Sequence, residues 1–310
     1  MVWSLSLQLR LSSPSHKLPH LETRLNFHLY PMSSTGSWKT QEVHPRSEPQ
    51  QTTTKEVTFG KPFVAPPRLP LGFNELDLSR HANIRVIANA ENITKEGFTA
   101  SLNTWGDSIL HSAGASWFEL APGYFEYQNG EFSTEDDHPW DEPQRETSRR
   151  IYFARPFITP PKVIVFLKEL HMDKTKDWRV STKVSDIDVN GLNILINTWG
   201  DSILYSAAAG SIAYPSDRPY VFSCTACTGD VRHWSKPQHL NNKSIGFDGV
   251  QFWRTPSVFM AIKSLAFSHK ADLRIKVRAK NVTATGLTWH LKSWGDSIFT
   301  SGEVSILAVA

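Results

Sequence analysis

The chain has 310 residues, 40% of them hydrophobic and 20% charged, a balance that excludes a disordered, collagen-like or membrane-embedded polypeptide. Its 33 Lys and Arg against 30 Asp and Glu leave a net charge of +3. No Lys/Arg-rich run is present, so the electrostatic footprint expected of a nucleic-acid-binding protein is missing. No apolar run reaches the roughly 18 residues that a bilayer-spanning helix needs.

In chain order, the first segment carries isolated hydrophobes (Val2, Trp3, Leu5, Leu7, Leu9, Leu11) separated mostly by Ser, Gln and Arg. A signal peptide wants a continuous apolar stretch and a small-residue cleavage site, so extracellular and cytoplasmic locations both stay open. Residues 1–28 read as a tail without periodicity. Ile84, Val86 and Ala88 alternate with Arg85, Ile87 and Asn89, as in a half-buried strand. Val163-Ile164-Val165-Phe166-Leu167 is a β-branched run after Pro160-Pro161, the pattern of a buried strand. Gly191 to Asn197 alternates again, and Trp199-Gly200-Asp201-Ser202 reads as a tight turn. There the glycine permits positive φ, and Asp and Ser satisfy local backbone donors. Ile203-Leu204-Tyr205-Ser206 starts the return strand. Cys224 and Cys227, the two cysteines, cannot complete a zinc site by themselves; they read as incidental thiols or a local disulfide. No metal or other cofactor is expected.

The chain repeats itself three times. Asn103-Thr104-Trp105-Gly106-Asp107-Ser108-Ile109-Leu110 returns from Asn197 to Leu204 and again from Lys292 to Phe299, with the tryptophans 94 and 95 residues apart. Arg85, Arg179 and Arg274 each precede a glycine by 12 residues (Gly97, Gly191, Gly286) and the turn tryptophan by 20. Upstream, Pro49-Gln50, Pro143-Gln144 and Pro237-Gln238 recur, each Gln nine residues before Phe59, Phe153 or Phe247. Such agreement marks duplication of a whole small domain. The predicted organisation is a tail over 1–28, then unit 1 over 29–122, unit 2 over 123–216 and unit 3 over 217–310. With about six short strands per unit and no capped 3.6-residue stripe, the fold class is all-β: three tandem antiparallel six-stranded sandwiches.

The Asn83-Ile84-Arg85-Val86 strand, the Asn-Ile-Thr step before Gly97, and the Thr-Trp-Gly-Asp-Ser-Ile turn together resemble the H-type lectin domain. This is the family of the snail agglutinin and of the discoidin C-terminal domain. The resemblance covers roughly the last 65 residues of each unit and is clearest in unit 1. It implies a six-stranded β-sandwich, trimeric assembly and binding of galactose-type sugars, typically N-acetylgalactosamine, at seams between neighbours. An acid and the strand arginine would come from one side, and the turn residues from the other. Carried over, the arginine is Arg85, Arg179 and Arg274, and the turn tryptophan is Trp105, Trp199 and Trp294. The acid position, counted two residues beyond Gln50, Gln144 and Gln238, falls on Thr52, Glu146 and Leu240, so only unit 2 keeps a carboxylate. Gly106, Gly200 and Gly295 stand where the snail-type site has a histidine.

The residue chemistry fits independently. A guanidinium presents five fixed donors to sugar hydroxyls, a carboxylate supplies acceptors, and an indole offers a flat apolar face to a C–H patch. The turn tryptophan could equally plug the core, the arginine could be an ordinary solvated face residue, and the turn aspartates read as caps. The triple Gly-Asp-Ser also resembles a hydrolase nucleophile motif, but that chemistry needs an α/β fold and a distant Asp-x-x-His, and no enzymatic activity is expected. Asn92-Ile93-Thr94, Asn242-Lys243-Ser244 and Asn281-Val282-Thr283 are sequons that matter only in a secreted chain. The expectation is a multivalent lectin for glycans or glycoproteins, without nucleic acid or membrane span. The three units would fold as a monomer with pseudo-threefold symmetry or form a higher oligomer. The alternative is a scaffold of the same fold that mediates adhesion or protein contacts.

Overall fold

The computed structural model describes residues 33–310; the tail read over 1–28 lies outside them. Among the described residues all regular structure is β apart from three short 3-10 turns. Unit 1 supplies β1 (Ser33–Lys39), β2 (Thr52–Thr58), β3 (Leu71–Leu78), β4 (Ile84–Glu91), β5 (Gly97–Asn103) and β6 (Leu110–Leu120). Unit 2 supplies β7 (Gln128–Ser133), β8 (Glu146–Tyr152), β9 (Lys162–Met172), β10 (Trp178–Ser185), β11 (Gly191–Asn197) and β12 (Leu204–Tyr214). Unit 3 supplies β13 (Val221–Cys227), β14 (Leu240–Gly246), β15 (Ser257–Phe267), β16 (Leu273–Lys280), β17 (Gly286–Lys292) and β18 (Phe299–Val309). The strands expected around Ile84, Val163, Gly191 and Leu204 are β4, β9, β11 and β12. The alternation in β4 has the expected meaning, with Ile84, Val86 and Ala88 fully buried.

The sheets do not stop at unit boundaries. Each of the three six-stranded antiparallel sheets takes three strands from one unit and three from another, in the orders β1-β6-β3-β16-β17-β14, β2-β5-β4-β9-β12-β7 and β8-β11-β10-β15-β18-β13. A unit is therefore two three-stranded halves facing each other, each half continuing into a different neighbour. Across the sandwich of unit 1, Phe98 on β5 meets Trp117 on β6 edge-on with ring centroids 5.3 Å apart. The joining ladders are short: Ile84–Ile87 against Met172–Glu169, Trp178–Ser181 against Phe267–Ser264, and Leu273–Lys276 against Leu78–Glu75. Unit 1 thus pairs with 2, 2 with 3, and 3 with 1, which leaves no unit with an unmatched joining strand.

A second apolar cluster gathers residues of all three units, among them Phe118 and Leu120, Ile164 and Phe166, and Phe259 and Leu307. Each 3-10 turn opens with a buried threonine whose hydroxyl accepts a backbone N–H of the long sixth strand, Thr40 from Ala113, Thr134 from Ala207 and Thr228 from Gly302. That bond fixes where the loop leaves the sheet, beside the seam. Cys224 and Cys227 are free thiols three residues apart on β13, a spacing that points them to opposite sides of the strand. The local-disulfide reading is set aside on that geometry.

Candidate functional site

Every unit builds the same corner. The Trp-Gly-Asp-Ser turn closes over the arginine of the fourth strand, with Gly106, Gly200 and Gly295 at φ of 64°, 69° and 66°. Arg85 Nη1 donates to Asp107 and, at 3.3 Å, to Ser108 Oγ. Arg179 Nη1 donates to Asp201 at 2.6 Å and Arg274 Nη1 to Asp296. A Cβ on these glycines would lie 2.9, 2.8 and 2.7 Å from the Nη1 beneath. Glycine here answers both the left-handed backbone and the pressed guanidinium, whose flexible end would have to shift for any side chain in its place. The motif serines donate to the carbonyls of Asn83, Asp177 and Asp272, tying the turn to the start of the fourth strand. The aspartates, expected as turn caps, are the arginines' partners instead. The Arg85 guanidinium holds the Asp107 carboxyl below its ordinary range, and Arg274 does the same to Asp296.

Two expectations are corrected here. The arginine sits under the turn of its own unit, not that of a neighbour. The turn tryptophans are not core plugs either, since Trp105 and Trp294 are half-buried and Trp199 is 39% exposed. What the neighbour adds is the strand residue opposite each arginine: His171 to Arg85, Ala266 to Arg179, and Asp77 to Arg274. That one position makes the three seams chemically different.

In the seam of units 3 and 1, Arg274 is ringed by carboxylates: Asp296, Asp272 on Nη2, and Asp77 Oδ1 at 3.3 Å from Nε. In the seam of units 2 and 3, Arg179 pairs with Asp201 and Asp177, and His269 of unit 3 is 2.8 Å from Asp177. In the seam of units 1 and 2, Arg85 has, among the described residues, the single carboxylate Asp107 and directs Nε to His171 Nε2 at 3.1 Å. Around that imidazole stand three aromatic rings: Trp105 of unit 1 at 5.8 Å between centroids, and Trp140 and Tyr205 of unit 2 at 5.8 and 4.7 Å. Trp140 is 52% exposed, and the Tyr205 hydroxyl is held by Asp173 Oδ2 at 2.8 Å.

Glu146 opens β8 opposite Asn197 and lines a cleft of ≈ 490 Å³ with Trp199, whose far wall (Thr228, Ser301, Glu303) belongs to unit 3. Arg179 does not line that cleft, and neither do Trp105 and Trp294, the neighbouring turn tryptophans that Glu146 and Arg179 would face in an intramolecular trimer. Glu146 has no ion pair with Arg145 or Arg149; the latter binds Asp137. Thr52 and Leu240 take the matching strand starts, opposite Asn103 and Lys292. Gln144 is exposed, and it is Arg145 that reaches the turn, donating to the Gly200 carbonyl at 3.1 Å, as Gln51 does to Gly106 at 3.0 Å. Asn103 and Asn197 each carry a buried amide oxygen with no partner among the described residues, an acceptor left open beside Trp105 and Trp199. Trp140, His171 and Tyr205 escape a sequence reading that seeks residues shared by the copies. Their signal is the opposite one: Arg46, Trp140 and Trp234, or Asp77, His171 and Ala266, are matched positions where the copies diverge.

The family model for the H-type lectin domain matches residues 54–118, 148–214 and 242–309, more than half of the chain. The chain belongs to the H-type lectin domain family. Among curated proteins, the product "ATP synthase subunits region ORF 7" of Fuscovulum blasticum is 31% identical over 86 residues, which are 28% of this chain. The chain spans 65% of the length of that relative. Among solved structures, recombinant discoidin II of Dictyostelium discoideum is similar at 16% identity, with 58% of this chain and 82% of that chain covered and a TM-score of 0.24.

Within these H-type lectin units, His171 gives the first seam a pH response. Burial, and then the charge of Arg85, push the imidazole down from 6.5 to about 4. At neutral pH it is uncharged, and Nε2 accepts from Arg85. The unfolded chain takes up a proton as pH falls through about 6.5 while the folded chain does not. The imidazole's contribution is therefore complete above that pH and lost on the way down to about 4. The expected loss is on the order of 2–3 kcal/mol of unfolding free energy between pH 7 and 4. Urea titrations of wild type and His171→Gln at both pH values check it; equal pH dependence in the two proteins would remove the claim.

Proposed function

We propose that this H-type lectin is a multivalent carbohydrate-binding protein for galactose- and N-acetylgalactosamine-type sugars, with sites at the seams between its units. The observation that carries the reading is the seam of units 1 and 2. One wall brings Arg85, Trp105 and the open Asn103 oxygen, the other Trp140, His171 and Tyr205. Directional donors and acceptors beside flat apolar rings are the chemistry a neutral pyranose needs. One shallow site of this kind binds near millimolar, about −4 kcal/mol, and several at fixed spacing raise avidity by about 10²–10⁴. The cyclic pairing of the units supports one chain doing the work of a trimer, so a solution mass of a single 35.0 kDa chain is expected. The second reading, a scaffold without sugar binding, is favoured only at the seam of units 3 and 1, where Arg274 is already surrounded by carboxylates.

A glycan array with wild type and Trp140→Ala tests the proposal. The half-exposed Trp140 can be truncated without opening the core, and about tenfold weaker binding of galactose-type glycans is expected, roughly 1.4 kcal/mol. Absence of any glycan signal from wild type, or identical signals from both proteins, would count against it.

A further inference from the structure

Unit 3 carries a charged face that its sister units lack. On β16 the residues Arg274, Lys276, Arg278 and Lys280 alternate with buried or small ones and so share the outer face of the sheet. Lys292 and His290 on β17 lie directly across from Lys276 and Arg278. At the matched positions unit 1 has Ile87, Asn89, Asn103 and Ser101, and unit 2 has Ser181, Lys183, Asn197 and Leu195. Arg274 and Lys276 are neutralised by Asp77, Asp272, Asp296 and Glu75. Among the described residues no carboxylate lies within 4.0 Å of Arg278, Lys280 or Lys292.

Lys292 faces Lys276, whose ammonium Glu75 already holds, so Arg278, Lys280 and Lys292 are left as neighbouring cations on one face without a carboxylate of their own among the described residues. The groups sense one another. Burial and then Lys280, Lys292 and Arg278 push the His290 imidazole down, and burial with Arg278 and Lys280 lowers the Lys292 ammonium. His290 Nδ1 is also buried without a hydrogen-bond partner among the described residues.

We propose that the β16–β17 face of unit 3 binds saccharides carrying sulfate or carboxylate groups. The strip from Lys276 to Lys280 is about 14 Å long, room for two or three sugar residues. It runs into the Trp294 turn through Lys292, two residues earlier in the chain. A saccharide lying along this strip would set its anionic substituents on the cations with no need of Arg274, which its carboxylates already hold, and Arg278 can hold one bidentately. A nucleic acid would want exposed rings for base stacking, and the large aromatic on this part of β17, Trp289, is fully buried. This inference names the substrate class of one unit and rests on the carbohydrate reading above.

The test is calorimetric binding of a sulfated galactan oligosaccharide and of its desulfated counterpart. The proteins are wild type, the triple variant Arg278→Gln/Lys280→Gln/Lys292→Gln, and Trp140→Ala. The substitutions relieve repulsion on an exposed face, so the triple variant folds. Wild type is expected to bind the sulfated form about tenfold tighter than the desulfated one, with the excess weakened by salt, abolished in the triple variant and kept in Trp140→Ala. Equal affinity for both forms overturns this inference and leaves the carbohydrate reading standing, whereas binding of neither overturns both. A single-stranded oligonucleotide of matched charge that binds wild type as tightly as the sulfated galactan overturns the saccharide assignment.

Discussion

Asp77→Ala is expected to lower the unfolding free energy by about 3 kcal/mol, because it strips a buried anion from between two cations. The Asp77 side chain is 1% exposed and accepts from Arg46, Nε at 2.5 Å and Nη2 at 3.2 Å, while Arg274 Nε stands 3.3 Å away. Taking away one partner of a desolvated ion cluster leaves the others uncompensated, at about 3–5 kcal/mol in general. The lower end applies here, since Arg46 is half-exposed and Arg274 keeps Asp272 and Asp296. The control is Asp201→Ala. Its carboxylate pairs with Arg179 in the same way but is 52% exposed, and the expected cost is within about 1 kcal/mol. Denaturant titration of both variants decides the matter: similar small losses would show that the Asp77 cluster is wetter than its burial implies.

Phe166→Ala is expected to cost about 3–5 kcal/mol, the usual range for emptying a buried phenylalanine site. Where the three units meet, matched positions hold Gly72, Phe166 and Ala261, lying across the ladder from Ser116, Gly210 and Ser305. Phe166 fills space for all three. A Cβ on Gly72 would approach its Cδ2 to 2.5 Å, and one on Gly210 its Cε2 to 2.6 Å. Gly72→Ala alone therefore overpacks the junction, at about 1–3 kcal/mol. Combined with Phe166→Ala it has room, so the double variant should lose at least about 1 kcal/mol less than the two single losses added together. Strict additivity would mean that the two positions do not share the cavity. The same asymmetry makes the units non-interchangeable: three copies of unit 2 would bring three phenylalanines to a junction that holds one.

Much of this protein could be read from its residues alone. Three copies, six strands in each, the all-β class and the glycine-bearing turns follow from period-two alternation and from recurrence at matched spacing, both local properties of the chain. The basic strip of β16 was legible in the same way, since Arg274, Lys276, Arg278 and Lys280 occupy every second position. It is missed by looking for a continuous basic run, because a strand gathers charge on one face by alternation. Tertiary structure alone decided that each sheet is shared between units, that the arginines lie under their own turns, and that Trp140, His171 and Tyr205 converge on Arg85. The physical reason is distance along the chain. Arg85 and His171 are 86 residues apart and meet only because four residues of β4 pair with four of β9. No periodicity within one unit encodes a ladder whose other half lies in the next.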